Sequence, residues 1–258
     1  MMDGGQRMTF ASSDVRSRSS GFRFGAIFSN AWSVYTANFL TFTGVAVVIG
    51  LPNLIEADPK TTAGVELLTL AAIAALILEF VGLAVILYGA FQVMRGRDIA
   101  LRDMIRRALS RALAIIALAF LLGIALFLGF MLFVVPAIIM AARWVVALPV
   151  CVVEGLGPFA SMQRSADLTR GNRWKIFGLL VVALLLLIGT SIVVGIATDA
   201  IVDLAPDGIA RTVVANIIDT IVIAIYTAYF NIALVMIYRD LRITKDGVDT
   251  EQIAAVFD

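Results

Sequence analysis

The sequence predicts an all-α fold: a polytopic transmembrane helical bundle of six spans, with interfacial amphipathic helices on one side of the membrane. Three observations predict it. Apolar residues make up 61% of the 258 residues and charged residues only 15%, against roughly half and a quarter in soluble domains. The apolar residues gather in runs of about 20 or more, the length that crosses a hydrocarbon core about 30 Å thick. These runs are apolar on all sides and lack the period-two alternation of a membrane β-barrel. Finally, the cations fall on alternate connections between the runs.

Taken in chain order, residues 1–23 are polar, carry Arg7, Arg16, Arg18 and Arg23, and have no apolar core, so they read as a disordered basic arm and not a secretory signal. The membrane domain is expected over 24–240. Residues 24–55 carry no charge. Ile27, Phe28, Ala31, Trp32 and Tyr35 are at helical spacing and predict an interfacial helix leading into span one, about 36–55. Span two, 67–94, holds one charge, Glu79. In the next connection apolar residues 101, 104, 105, 108, 109 and 112 form one stripe. Arg102, Arg106 and Arg107 lie opposite and Arg111 follows, which predicts a basic amphipathic helix on the inner leaflet.

The 42-residue run Ala112–Val153 holds one charge, Arg143. As a single helix it would be about 63 Å long, twice the hydrocarbon thickness. It is therefore read as spans three and four, 112–130 and 134–153, reversing around Gly129–Pro136. Pro158 and Gly171 bracket a further helix whose apolar face is Phe159, Met162 and Ala166. Span five, 176–198, is uncharged, and span six, 213–238, holds Asp219. A tail, 241–258, follows, with the option of a short helix over IAAVF. A threefold pattern of interfacial helix, span out and span back, over about 24–95, 98–154 and 158–238, is an analogy of layout and not a sequence repeat.

Charge placement supports the six-span count. With both termini inside, 17 of the 20 cations fall on the cytoplasmic side, two (Lys60 and Arg211) outside, and Arg143 within a span. That is a strong positive-inside bias. The outer loops are acidic, with Glu56 and Asp58 in one and Asp199, Asp203 and Asp207 in the other. These last three read as a solvated loop or, less simply, as a cation-collecting cluster.

Chemistry is sparsely encoded. There is no histidine and one cysteine, Cys151. An intrachain disulfide, a histidine-bearing zinc site and Ser-His-Asp or Cys-His catalysis are all excluded. No catalytic, metal or cofactor residues are assigned, and nothing points to nucleic acid. The partners expected are anionic headgroups, through Arg102, Arg106, Arg107 and Arg111, and other membrane proteins. Small residues at four-residue spacing, Ala125/Gly129 and Ala137/Ala141, permit close helix packing. Ionisable groups within spans are costly and mark function by default. Glu79 and Arg143 both lie near the middle of inward-running spans. An Arg143–Glu79 pair is therefore expected, with Asp219 as the alternative partner.

The stretch RWVVALPVCVVEGLGPFASMQRSADLTRGNRWKIFGLLVV resembles the signature of a group of poorly characterised bacterial membrane proteins. In it an arginine-bearing span ends in Pro-x-x-x-x-Glu (Pro149, Glu154). A helix with Arg-Ser (Arg164, Ser165) follows, then Leu-Thr-x-Gly ending at Gly171, and a span led by Trp174. The terminal YRDLRITKDGVD also resembles that group, which includes the membrane domain fused to some glycerophosphoryl diester phosphodiesterases. The resemblance covers most of residues 99–250. It implies a six-helix domain in a bacterial inner membrane and carries no activity with it. The phosphodiester chemistry of the fused members resides in a separate barrel that uses catalytic histidines, and this chain has none. The function expected is a non-enzymatic scaffold or accessory subunit of a membrane complex. The alternative is a transporter or lipid-handling protein using the intramembrane charges, with Asn216 and Asn231 nearby.

Overall fold

A computed structural model describes residues 24–55, 60–97, 100–204 and 208–246. The basic arm, Glu56, Asp58, Asp98, Asp207 and the tail beyond 246, including the IAAVF helix, lie outside the described residues. The architecture is all helical: α1 (Phe24–Ala37), α2 (Phe39–Gly50), α3 (Thr62–Met94), α4 (Leu101–Leu132), α5 (Val134–Trp144), α6 (Ala147–Val153), α7 (Pro158–Thr169), α8 (Arg173–Val202) and α9 (Ile209–Asp246). Five helices are long and apolar enough to cross a membrane. A sixth span arises if α1 and α2, bent by 89° at Asn38, count together. The bend falls two residues into the span predicted at 36–55. The chain is a polytopic helical membrane protein.

Prolines set the breaks inside the long apolar run. A proline ring clashes with the carbonyl four residues earlier and supplies no N–H to bond it. Pro136 therefore forces the reversal after Leu132, where Phe133 alone is extended (φ −174°, ψ 158°) and joins α4 to α5. By the same rule Pro149 faces the carbonyl of Val145, and the helix lapses over Val145–Val146 before resuming as α6. No such signal separates the amphipathic stretch 101–112 from the span after it. Alanine- and leucine-rich sequence runs on, and α4 is one helix of 32 residues. The separate surface helix expected there is thus corrected. Its apolar stripe is split too: Met104 and Ala108 are buried, while Leu101, Ile105 and Leu109 are exposed.

α9 is the axis of the bundle and packs on α1, α2, α3, α6, α7 and α8. The tight core lies toward the arginine-bearing ends of the helices. It uses Ala84–Leu87 of α3, Val146 at the break with Ala147, Val150, Cys151 and Val152 of α6, and residues between Ala224 and Leu241 of α9. The opposite half is open: Val65–Ile77 of α3 and the middle of α8 expose most of their apolar side chains. We call the two ends of the bundle the basic end and the acidic end. At the acidic end Asp203 and Arg211 form an ion pair across the α8–α9 connection.

A candidate functional site at the basic end

The site is assembled around the break in span four. The lapse at Val145–Val146 leaves carbonyls at the end of α5 without helical partners. Arg143 supplies one of them. Its carbonyl accepts hydrogen bonds from Ser165 Oγ and Thr169 Oγ1, each at 3.1 Å. Lower down, Ser161 Oγ donates to the Leu156 carbonyl at 3.4 Å. Ser161, Ser165 and Thr169 are spaced four apart on one face of α7, and all three are fully buried. This face, with Ala166 and Leu168, is what α7 turns inward. Phe159, expected on the apolar face, is instead 73% exposed, and Met162 is only partly buried. A hydroxyl stripe at i, i+4 and i+8 beside a proline-broken helix was the signal in the sequence that would have found it.

α7 folds back alongside α6 and α5. Pro158 occupies its first turn, and Gly171, at φ +91°, follows its end, as the turn residues predict. Its twelve residues rise about 18 Å, and Thr169 at its end reaches the Arg143 carbonyl. Thr169 therefore stands level with Arg143, and Arg170 and Arg173 follow directly in the chain. The side chain of Arg143 is exposed. Glu79 on α3 and Asp219 on α9 are exposed as well. The ion pairs among the described residues include none of these three, so the structure does not bring together Arg143 with Glu79 or with Asp219. The physical reason is packing: α5 lies chiefly against α4, α7 and α8, while Glu79 stands on α3 and Asp219 on α9, each with its side chain outward.

The charge pairing lies instead at Glu154. Its Oε1 accepts from Tyr238 Oη at 2.8 Å, and its Oε2 accepts from Arg164 Nε at 3.3 Å. Arg164 also forms a close ion pair with Asp246, whose carboxylate lies 3.8 Å from Arg242 Nε. Tyr238 is fully buried, while Glu154 and Arg164 keep 18% and 30% of their side chains exposed. Partial burial works to lower the Arg164 pKa, but Asp246 and Glu154 outweigh it and hold the guanidinium above its ordinary value. The network ties α6, α7 and the end of α9 into one unit. Beside it lies an open cleft of about 190 Å³ lined by Arg164, Asp167, Leu168, Arg170, Lys245 and Asp246.

Of the motif residues singled out in the sequence, Pro149, Glu154, Arg164 and Ser165 all serve this site. Trp174 does not: it is 85% exposed, and its ring stands edge-on to Phe177 at 6.1 Å. Among the four arginines assigned to lipid, Arg102 and Arg106 face outward, whereas Arg107 and Arg111 turn partly inward. No group of three potential metal ligands gathers among the described residues.

Fold and site together define an integral, multi-pass helical membrane protein with a clamped polar end. Residues 119–252 match the family model for the membrane domain of glycerophosphoryl diester phosphodiesterase. That is more than half of the chain and takes in every member of the Glu154 network. The chain belongs to this family. No curated protein and no solved structure matches it.

Proposed function

We propose that the protein is a non-catalytic membrane module, a scaffold or accessory subunit, that docks a partner protein on its basic end. The observation that supports this most is the Glu154–Arg164–Asp246 clamp beside an open, charge-lined cleft. Fixing three helices with ion pairs holds Arg170 and Lys245, both exposed, at a defined place on a rigid rim. Such preorganisation lowers the ordering cost of binding. We place this rim and both termini in the cytoplasm, at a bacterial inner membrane, because 17 of 20 cations lie on that side.

The test is affinity purification from the native membrane in mild detergent, comparing wild type with Arg170→Glu/Lys245→Glu. A stoichiometric protein that accompanies the wild type and is lost from the variant is the expected result. Wild type that purifies alone, with one lipid or small molecule enriched, contradicts it. That outcome favours a second reading, lipid or solute handling, which draws on the middle of α8. There Leu184–Leu186 and Ile192–Ile196 stand off the other helices.

A further inference from the structure

We propose that Arg107 and Arg111, together with the turn at Gly155, form a binding site for a phosphate group. The two arginines are one turn apart on α4 and point to one place. A side-chain carbon added at Gly155 would collide with the Arg111 guanidinium and lie 3.2 Å from Nη2 of Arg107. Gly155 holds φ +72°, a conformation that residues with a side chain rarely adopt. Its bare backbone thus lets both guanidinium groups close on the turn between α6 and α7.

Two like charges so near each other repel, and among the described residues no carboxylate pairs with them. The ion pairs among the described residues include neither arginine. Asp103, four residues before Arg107 on α4, forms none of those ion pairs, and Glu154, the neighbour of Gly155, is already engaged by Arg164 and Tyr238. Nε of Arg107 is buried without a hydrogen-bond partner, although such groups are almost always satisfied. One face of that guanidinium lies over the Tyr88 ring at 6.0 Å, and Tyr88 Oη accepts from Gln92. The N–H groups of the fork are left for an acceptor. A phosphate supplies several anionic oxygens to paired guanidinium groups, the geometry arginine suits best. Arg102 and Arg106, exposed on the other face of the same helix, carry equal charge without this convergence. The site is separate from the cleft at Arg164 and needs no protein partner.

The source of the phosphate, a lipid headgroup or a soluble ion, is separable by experiment on the full-length protein. Native mass spectrometry from mild detergent reads retention of phosphatidylglycerol against phosphatidylcholine. Thermal melting in delipidated detergent reads inorganic phosphate. Phosphatidylglycerol retained by wild type and by Arg102→Gln/Arg106→Gln, and reduced about tenfold in Arg107→Gln/Arg111→Gln, supports the site with a lipid source. Phosphate that raises the melting temperature of wild type and of the outward variant, but not of the inward one, supports it with a soluble source. Equal losses in both double variants, or no discrimination between the two lipids together with no response to phosphate, overturns the proposal. Should the inward double variant not fold, Arg111→Gln alone carries the comparison, with a severalfold loss expected against Arg102→Gln.

Discussion

At the scale of single residues, Glu154 binds the basic end together. It joins a buried tyrosine of α9 to an arginine of α7. Removing its charge leaves Arg164 with Asp246 alone and Tyr238 without an ionised acceptor. Breaking a fully buried pair from one side costs about 3–5 kcal/mol, and solvent screening at partly exposed side chains reduces that. Glu154→Gln is expected to cost about 1–3 kcal/mol and Tyr238→Phe about 1 kcal/mol, by thermal or denaturant unfolding in detergent. Their double variant is expected to lose less than the sum, because both remove one shared bond.

Arg143 and Glu79 are expected to behave oppositely. Without a contact, Arg143→Gln and Glu79→Gln should add within about 0.5 kcal/mol, and a larger coupling in the double variant would restore the pair. Asp240, beyond the apolar part of α9, has its carboxyl pKa raised by burial, with Arg239 opposing. A folded pKa above the unfolded one favours the protonated form, so this contribution to stability is present at low pH and is lost as pH rises through the raised value. Asp240→Asn should therefore be neutral to stabilising at pH 7 and flatten the fall in stability above about pH 4, read from melting temperature against pH. The Glu154–Arg164 half of the network was legible in the motif. Tyr238 and Asp246 were not assigned to it, because those contacts join residues 84 and 82 positions apart, and no local pattern encodes such a distance.

At the scale of elements, the α6–α7 hairpin decides how the charges are read. Both breaks in the long run follow from Pro136 and Pro149 and were within reach of the sequence. Pro158 and Gly171 likewise marked α7. What periodicity did not convey was that α7 buries hydroxyls and not its largest apolar residues. The free carbonyl of Arg143, created by the break, makes Ser165 and Thr169 the better inner face. Ser165→Ala/Thr169→Val keeps volume nearly constant and removes both donors. It is expected to cost about 1–3 kcal/mol, the penalty of an unsatisfied buried carbonyl. A loss below about 0.5 kcal/mol in thermal melting would mean that water replaces the hydroxyls there. The fusion of 101–112 into α4 was hidden for another reason. An amphipathic stretch running into an apolar one reads the same whether it lies on the membrane or extends out of it.

At the scale of the whole molecule, the helices are tightly packed at the basic end and open toward the acidic end. In the threefold layout of helix, span and returning span, the first unit keeps a sharply angled entry helix, at 89°. In the second unit that helix is absorbed into α4, and in the third it is wedged between α4, α5, α6 and α9. The placement of the basic end in the cytoplasm carries the docking proposal. Accessibility labelling tests it most directly, with single cysteines in a Cys151→Ala background and a membrane-impermeant maleimide on intact bacterial cells. Ser161 is fully buried and cannot report. Ser110, exposed at the basic end, and Leu204, 86% exposed at the acidic end, can. Leu204→Cys is expected to label in intact cells and Ser110→Cys only after permeabilisation. Labelling of Ser110→Cys in intact cells, with Leu204→Cys protected, would contradict the orientation and the docking proposal built on it.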